Sequence, residues 1–334
     1  MEAVLASKPA RGVAPSLGLA LVAAGLALLA WLAYSWPQPG RAPYRYQLVE
    51  EGGVERFAAL GLEAWPELKI GKYEVRVDGV DQPIAVAHVA RSGAAGPVML
   101  DWDNRSGEPL VFADTKPGEL ATLAQAIAKH APKDALVLGW WDTARQLRLL
   151  AGRETLVDAH VGEPFIAPQM WQARAAAIAQ HEAEFWGRPP SAAEAQRFRR
   201  FAEALASEPD RGAAMLRELA GGQPAYVAVH VSDLYKLGLL LPDRLGVAFK
   251  DFPVKADVHG PIAFVKRWMT QNKYTAYTLH ELSDRRARVY FVANERSANT
   301  LLAQMLPLTT SKPADLSALQ LVYRHGGYWV YRLR

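Results

Sequence analysis

The stretch ALVLGWWD at positions 135–142 decides the fold, because a short apolar run ends there in two tryptophans and an aspartate. The apolar part predicts a buried strand over 135–140, and residues 143–151 have the apolar spacing of a helix. Each indole N–H needs a partner and each ring covers a large surface, so adjacent tryptophans are seldom required only to fill a core. We therefore expect a functional site at this junction between a strand and a helix.

A purely structural role is the alternative for this junction. The two indoles can fill the gap between neighbouring helices, and Asp142 can be the N-cap of the helix over 143–151. Such a cap contributes about 1 kcal/mol to stability. Both interpretations stay open at the level of the sequence.

Strand and helix patterns alternate on both sides of the junction. Helical spacing covers 118–130, and strand-like runs cover 155–157 and 226–229. This alternation predicts a mixed α/β domain over 116–334. Three helical patterns separated by prolines predict a helical insert at about 167–220 within that domain.

Short strand-like runs separated by turn residues fill residues 44–115 and predict a β-rich subdomain. Within it, the stretch DWDNRS at 101–106 places two carboxylates beside a tryptophan, although Asp, Asn and Ser favour turns. We expect a loop there, with a metal or catalytic site as the less favoured alternative. The C-terminal part adds strand-like runs at 274–279, 288–292, 319–323 and 328–333, and a helix near 297–305.

The N-terminal segment has the pattern of a membrane anchor, with no charged side chain from residue 12 to residue 40. Twenty helical residues span about 30 Å, which matches the hydrocarbon core of a bilayer. The sequence therefore predicts a cytoplasmic N-terminus over 1–16, a single transmembrane helix over 17–36 and a linker over 37–43. The predicted membrane-interface residues are Trp31, Tyr34 and Trp36.

A cleaved signal peptide is the alternative to this anchor, because Lys8 and Arg11 precede the apolar run and small residues occur near its end. Apolar cores of secretory signals usually cover about 7 to 15 residues, which is shorter than this run. We expect a single-pass protein of the inner membrane, with the lipid bilayer as a partner. Long downstream regions are translocated regardless of charge, so we expect the main domain in the periplasm.

Composition excludes several classes of function. The 334 residues contain no cysteine, which excludes disulfides, thiolate nucleophiles, cysteine-ligated clusters and cysteine-attached haem in this chain. The net charge of +4 comes from scattered lysines and arginines, so we expect no nucleic-acid partner. We also expect no cofactor to be bound by the chain itself.

Common enzyme motifs are missing from the sequence. His181-Glu182 is not followed by a second histidine at metalloprotease spacing, and neither a glycine-rich phosphate loop nor a nucleophile elbow occurs. The eight histidines are dispersed, so we expect no metal site and no catalytic residue. His160 follows a strand-like run and is expected to be an ordinary polar or capping group, with a ligand role as the alternative.

Residues 139–144 and 152–158 resemble the Trp-Trp-Asp segment and its continuation in the soluble domain of oligosaccharyltransferase catalytic subunits. Residues 213–229 and 319–333 resemble the same domain in the same order, and residues 232–236 match its Asp-x-x-Lys motif. In that family the two motifs help to form the pocket for the hydroxyl-bearing residue of the acceptor peptide. The resemblance therefore implies a pocket formed by Trp140, Trp141, Asp142, Asp233 and Lys236.

The chemistry of such a pocket is reasonable, since indoles can wall it and a carboxylate can accept from a hydroxyl. The family's transfer reaction, however, uses acidic residues and a metal held by many membrane helices, and the sequence predicts one such helix here. Asp233 and Lys236 also have the alternative of a solvated pair at i and i+3, worth about 0.2–0.5 kcal/mol.

A second resemblance covers the whole layout of anchor, β-rich part and α/β domain. Residues 134–163, above all 139–146, together with 185–187, resemble the family of the hydroxylamine oxidation protein HaoB. This resemblance implies a non-enzymatic accessory protein whose partner is a multihaem hydroxylamine oxidoreductase or an associated cytochrome. We expect protein–protein interaction in assembly or membrane placement. The alternative is a peptide-binding or glycosyltransferase-derived domain that uses the Trp-Trp-Asp pocket.

Overall fold

The computed structural model describes residues 25–26, 41–91, 96–106, 115–162, 169–253, 259–283 and 285–334. The predicted transmembrane helix over 17–36 lies outside these residues apart from positions 25 and 26, and its aromatic residues Trp31, Tyr34 and Trp36 lie outside them entirely. Within the described ranges, no helix is both long enough and apolar enough to cross a membrane.

The N-terminal sheet is antiparallel, and its four strands follow one another in chain order. These strands are β1 (Tyr44–Gly53), β2 (Lys69–Val77), β3 (Ala85–Arg91) and β4 (Pro97–Asn104). A short 3-10 helix over Val54–Leu60 connects β1 to β2. The edge strand β1 pairs only with β2 among the described strands, so one side of its backbone is not covered by another strand.

The loop predicted at 101–106 is wrong for its first four residues, because Asp101 to Asn104 complete β4. Asp101 stands opposite His88 of β3, and His88 Nδ1 lies 3.0 Å from its Oδ2 atom. The side chain of Trp102 is buried in the core. This cross-strand pair and the buried indole outweigh the turn preference of the local composition.

The central sheet is mixed. Its strands are β5 (Leu136–Gly139), β6 (Glu154–Thr155), β7 (Ala225–His230), β11 (Leu319–His325) and β12 (Tyr328–Leu333). Their order in the sheet is β11-β12-β7-β5-β6. Strands β5 and β6 and strands β5 and β7 pair in parallel, whereas β12 is antiparallel to both β7 and β11. All four residues of β5 are buried, which explains its continuous apolar run.

Helices cover both faces of the central sheet. They are α1 (Pro117–His130), α2 (Trp141–Ala151), α4 (Ala192–Leu205) and α5 (Pro209–Ala220), whereas α3 (Ala175–Trp186) packs against β4 of the N-terminal sheet. Alternate residues of β5 point to opposite faces, so Leu138 shares a buried cluster with Phe198 of α4, and Val137 shares another with Leu147 of α2. The molecule therefore contains a mixed α/β fold, as the sequence predicts.

Helix α2 also connects the central sheet to the N-terminal sheet. Arg145 Nη2 donates to the carbonyl oxygen of Pro97 at 2.7 Å, and Gln146 Nε2 donates to that of Met99 at 2.8 Å. The pKa of Arg145 is lowered to about 10 by burial. These contacts fix the start of α2, where the Trp-Trp-Asp segment lies.

A third sheet is antiparallel, with the order β8-β10-β9. It consists of β8 (Val247–Pro253), β9 (Ala276–Ser283) and β10 (Arg286–Val292), and Val265 of α7 (His259–Gln271) packs against Phe252 and Phe291. The helix predicted near 297–305 is two short helices, because the side chain of Thr300 caps a new start by accepting from Ala303 N. The remaining helices are α6 (Asp233–Leu240), α8 (Glu295–Ala298) and α9 (Leu301–Met305).

Within the described residues, the helical region begins with a 3-10 helix over Gln169–Arg174, which α3 follows directly. Helix α4 starts at a capping box, in which Ser191 and Glu194 bond to each other's backbone N–H groups. The predicted domain boundaries at 115, 167 and 220 stay predictions.

Candidate functional site

The candidate site lies where the parallel strands β5 and β7 end. Gly139 pairs with Ala228, and a Cβ atom at position 139 would lie 3.3 Å from the Ala228 carbonyl oxygen, which is a tight contact. Helix α2 begins at Trp141, and helix α6 begins at Asp233. Ligand sites of α/β proteins commonly form outside the carboxyl ends of such strands.

Three charged side chains meet at this edge in what we call the buried triad: Asp142, Asp233 and Lys236. Lys236 Nζ lies 2.9 Å from Asp142 Oδ2 and 3.2 Å from Asp233 Oδ1. The exposed fractions of the Lys236, Asp233 and Asp142 side chains are 1%, 1% and 8%. The alternative of a solvated pair at Asp233 and Lys236 is therefore wrong, because both side chains are buried and Lys236 also pairs with Asp142.

The pKa values of Lys236 and Asp233 follow from their burial and from the charges beside them. Burial alone would lower the pKa of Lys236, but Asp142 and Asp233 raise it above its ordinary value. Burial raises the pKa of Asp233 by more than Lys236 lowers it. Asp233 Oδ2 also accepts from the backbone N–H of His230 at 2.9 Å, which holds the end of β7 against α6.

Asp142 is not the N-cap of its helix, contrary to the structural alternative. The N-cap of α2 is Trp140, and Asp142 lies in the first turn. Its Oδ1 accepts from the backbone N–H of Thr143 at 2.6 Å, while Oδ2 faces Lys236. A carboxylate in the first turn is favoured by the positive end of the helix dipole.

Both tryptophans of the junction are enclosed by core side chains. Trp140 is 0% and Trp141 is 1% exposed. The Trp140 ring packs edge-on against Phe198 at a centroid distance of 5.1 Å, and Lys236 Nζ lies 5.9 Å from its centroid. The residues of the implied peptide pocket thus lie at the same junction, but neither indole is exposed at the surface. Peptide binding there stays a prediction that requires these side chains to move.

A cleft of about 360 Å³ lies near the junction, between β1 and helix α3. Aromatic and apolar side chains dominate its wall, and Glu182 is the carboxylate within it. The Tyr44 hydroxyl donates to Glu182 Oε1, as does the Tyr46 hydroxyl at 2.8 Å, and Trp186 Nε1 donates to Oε2 at 2.7 Å. We call this feature the aromatic cleft; its lining includes Tyr44, Tyr46, Trp102, His160, Trp171, Glu182 and Trp186.

Burial controls the ionisation of the aromatic cleft. It raises the pKa of Glu182, although three hydrogen-bond donors act in the opposite direction. Burial and the nearby carboxylate of Glu182 raise the pKa of Tyr44 and of Tyr46, so both phenols remain protonated donors.

His160 connects the cleft to the junction. Its ring stacks on Trp186 at 4.6 Å with an interplanar angle of 4°, and packs edge-on against Trp141 at 4.4 Å. Burial lowers the pKa of His160, and Arg145 lowers it further, so the imidazole is neutral. Glu182 Oε2 lies 3.9 Å from Nε2, and the polar or capping role of His160 stays a prediction.

A further cluster lies beside the triad, and the sequence did not predict it. Glu119, His230 and His280 each offer one ligand atom, and these atoms all lie within 4.8 Å of one another. Burial, together with His280 and Lys236, lowers the pKa of His230. We call these three residues the His-Glu cluster; they come from α1, β7 and β9, so no local spacing indicates them.

Comparison with solved structures finds similarity to the C-terminal domains of oligosaccharyltransferases. The C-terminal domain of PglB from C. jejuni matches with 12% identity and a TM-score of 0.37, covering 64% of this chain and 99% of that one. The C-terminal globular domain of the oligosaccharyltransferase AglB from Archaeoglobus fulgidus matches with 10% identity and a TM-score of 0.31, covering 65% and 97%.

Comparison with curated proteins finds no match. The family model described as HaoA-associated protein HaoB, in contrast, matches residues 10–333, which is nearly the whole sequence. The chain therefore belongs to the HaoB family of HaoA-associated proteins.

Proposed function

We propose that this protein is an accessory protein of hydroxylamine oxidation that binds HaoA, the multihaem hydroxylamine oxidoreductase, and assists its assembly or membrane placement. The observation that carries this proposal is the family match over residues 10–333, since the family is described as HaoA-associated. The chain has no cysteine, so it cannot attach haem through a Cys-x-x-Cys-His motif. In the proposed role the redox chemistry belongs to the partner.

The aromatic cleft is the surface that we propose for HaoA. Trp171 lines the cleft, and the side chain of the adjacent Met170 is 83% exposed. Aromatic residues and methionine are enriched in protein interfaces. On strand β1, Leu48 and Val49 are 47% and 44% exposed. The uncovered edge of β1 also offers backbone N–H and carbonyl groups to which an extended partner segment can bond.

The buried triad has a structural part in this proposal. It holds the start of α2 against the start of α6, and α2 in turn bonds to the N-terminal sheet that carries β1. Because the triad is enclosed, it contacts no partner directly. Its integrity sets the position of the sheet that forms one wall of the cleft.

Membrane placement is part of the same proposal. We propose that residues 17–36 anchor the protein in the inner membrane and that the main domain lies in the periplasm. The absence of cysteine makes this directly testable with Ser7→Cys and Ser317→Cys variants in intact cells. A membrane-impermeant maleimide should label position 317 after outer-membrane permeabilisation and leave position 7 unlabelled. Labelling of position 7 alone would show the opposite orientation in the membrane.

The interaction is tested by crosslinking in native membranes and affinity purification of the full-length chain. Wild type should recover HaoA, detected by its haem absorbance and by mass spectrometry. The Met170→Asp variant should recover at least tenfold less, because a charge enters the apolar surface. Leu279→Asp is the matched control, since Leu279 is 51% exposed on β9 of the third sheet and does not line the cleft.

The outcomes test the accessory role and the proposed docking surface separately. Recovery of no multihaem partner by wild type at any stoichiometry would refute the accessory role. Equal recovery by wild type and Met170→Asp would leave the role intact and refute the cleft as its docking surface.

A further inference from the structure

The His-Glu cluster joins three separate parts of the fold. Glu119 lies in the first turn of α1, His230 is the last residue of β7, and His280 lies in β9 of the third sheet. Both histidines are buried, at 0% and 5% exposure, and the Glu119 side chain is 15% exposed. Two imidazoles and one carboxylate are typical ligands for divalent transition metals.

The surroundings of His230 match those of a metal ligand. Its Nδ1 lies 2.7 Å from Ser232 Oγ, and its Nε2 is buried with no hydrogen-bond partner in the described part of the chain. Metal-bound imidazoles usually have their second nitrogen held by such a hydrogen bond, which fixes the tautomer. If Nδ1 donates to Ser232, the lone pair of Nε2 is available to a cation.

The other tautomer is less favourable for His230. In it, Nδ1 accepts from the backbone N–H of Ser232 at 3.2 Å, and Nε2 carries a buried proton. That proton has no acceptor among the described residues, and a buried donor without an acceptor is costly. A metal at Nε2 removes this cost, and the 2.7 Å contact at Nδ1 is kept because the Ser232 hydroxyl can accept from it.

A glycine turn keeps the space beside the cluster clear. A Cβ atom at Gly327 would lie 2.1 Å from His230 Nε2, and one at Gly326 would lie 2.0 Å from the Glu119 carboxylate. Gly327 N also donates to Glu119 Oε2 at 2.8 Å, which holds the carboxylate at the turn. Any side chain at position 327 would occupy the space in front of the imidazole nitrogen.

We propose that Glu119, His230 and His280 bind one divalent transition-metal ion, with zinc as the expected ion. Three protein ligands leave a fourth position for water or another group, as in open zinc sites. Tetrahedral zinc with bonds of about 2.0–2.1 Å separates its ligand atoms by about 3.4 Å, so the present spread of up to 4.8 Å must contract. Glu119, the most exposed of the three, is the side chain that moves.

The site would tie helix α1 to two different sheets, because β7 belongs to the central sheet and β9 to the third sheet. It lies next to the buried triad through His230, whose backbone N–H donates to Asp233. This inference does not depend on HaoA, and its test measures metal binding alone.

The test uses full-length protein in detergent, stripped with a chelator and then titrated with zinc against a chromophoric competitor. Wild type should bind one equivalent, as measured by elemental mass spectrometry after desalting. Glu119→Gln retains an oxygen for the Gly327 bond but loses the negative charge. This variant and His280→Gln should each bind zinc at least about 100-fold more weakly, since even the loss of a group that only hydrogen-bonds a metal ligand costs about 10- to 100-fold.

Two further variants distinguish zinc bound at the His-Glu cluster from zinc bound elsewhere on the surface. Ser232→Ala keeps all three ligands but removes the hydroxyl at Nδ1, and it should weaken binding by about 10- to 100-fold. His130→Gln removes an exposed histidine of the same helix as Glu119 and should bind zinc like wild type. Circular dichroism of each stripped variant shows whether its fold is intact.

Two results would overturn the proposal. One is wild type that binds no zinc above the level of the desalting blank. The other is equal affinity of wild type, Glu119→Gln and His280→Gln, which would place the zinc elsewhere on the protein.

Discussion

Replacement of Lys236 by methionine should destabilise the protein strongly. Lys236 is 1% exposed and contacts Asp142 at 2.9 Å and Asp233 at 3.2 Å, so its loss leaves two buried carboxylates without a cation. At an effective dielectric constant of about 20, each contact is worth about 5 kcal/mol of attraction. Part of that attraction offsets the cost of burying three charges. We therefore expect the free energy of unfolding to fall by about 3–5 kcal/mol.

Matched variants distinguish charge balance from lost packing. Asp142→Asn removes one of the two carboxylates and leaves Asp233 and Lys236 as a neutral pair, so we expect a smaller loss of about 1–3 kcal/mol. A triple variant with Asp142→Asn, Asp233→Asn and Lys236→Met should recover much of the loss of the single lysine variant, because no uncompensated charge remains. Lys129→Met is the control on an exposed helix position, expected within about 0.5 kcal/mol of wild type.

The assay is urea unfolding of the full-length chain, followed by circular dichroism and by tryptophan fluorescence. Trp140 is one of ten tryptophans that contribute to the fluorescence, and Lys236 Nζ lies 5.9 Å from its ring centroid. A loss below about 1 kcal/mol for Lys236→Met would refute the reasoning. A triple variant less stable than the single lysine variant would refute it as well.

Three further predictions concern the helices around the cleft. Ser191→Ala removes the capping box of α4 and should lower the free energy of unfolding by about 1 kcal/mol, measured by urea unfolding. The bonds from Arg188 lower the pKa of Glu194 from 4.5 to about 2, so the stability from this carboxylate is present above pH 4.5 and is lost as the pH falls toward 2. The stability difference between wild type and Glu194→Gln should therefore shrink over that interval, and a constant difference would contradict the assignment. Tyr46→Phe removes one of three donors to the buried Glu182 and should cost about 1–3 kcal/mol, whereas an unchanged urea midpoint would show that water replaces the phenol.

Local patterns were sufficient to predict the junction. The apolar run before Trp140 gives β5, and the helical spacing after it gives α2. The motif residues Asp142, Asp233 and Lys236 are brought together because β5 and β7 are parallel neighbours whose following helices start at the same edge. Burial of the triad could not be predicted, since spacing at i and i+3 describes a solvated pair equally well.

Contacts between distant segments could not be predicted from the sequence. Tyr44 and Glu182 are 138 positions apart, and their bond depends on how α3 packs beside the N-terminal sheet. Repeated tyrosines at 44 and 46 of a strand, and His181 and Phe185 one helical turn apart, were the signals that could have suggested an aromatic cleft. No such signal indicated the His-Glu cluster, because its three residues lie far apart in the sequence and only the packing of α1, β7 and β9 brings them together.

Binding to purified HaoA tests the accessory role most directly. The full-length protein, in detergent, is mixed with the multihaem oxidoreductase and separated by size-exclusion chromatography, with haem absorbance and protein mass recorded together. We predict a saturable complex in which haem absorbance co-elutes with this chain at a fixed ratio, and in which Leu279→Asp behaves like wild type. Separate elution of the two proteins at micromolar concentrations, with both intact, would contradict the proposed function.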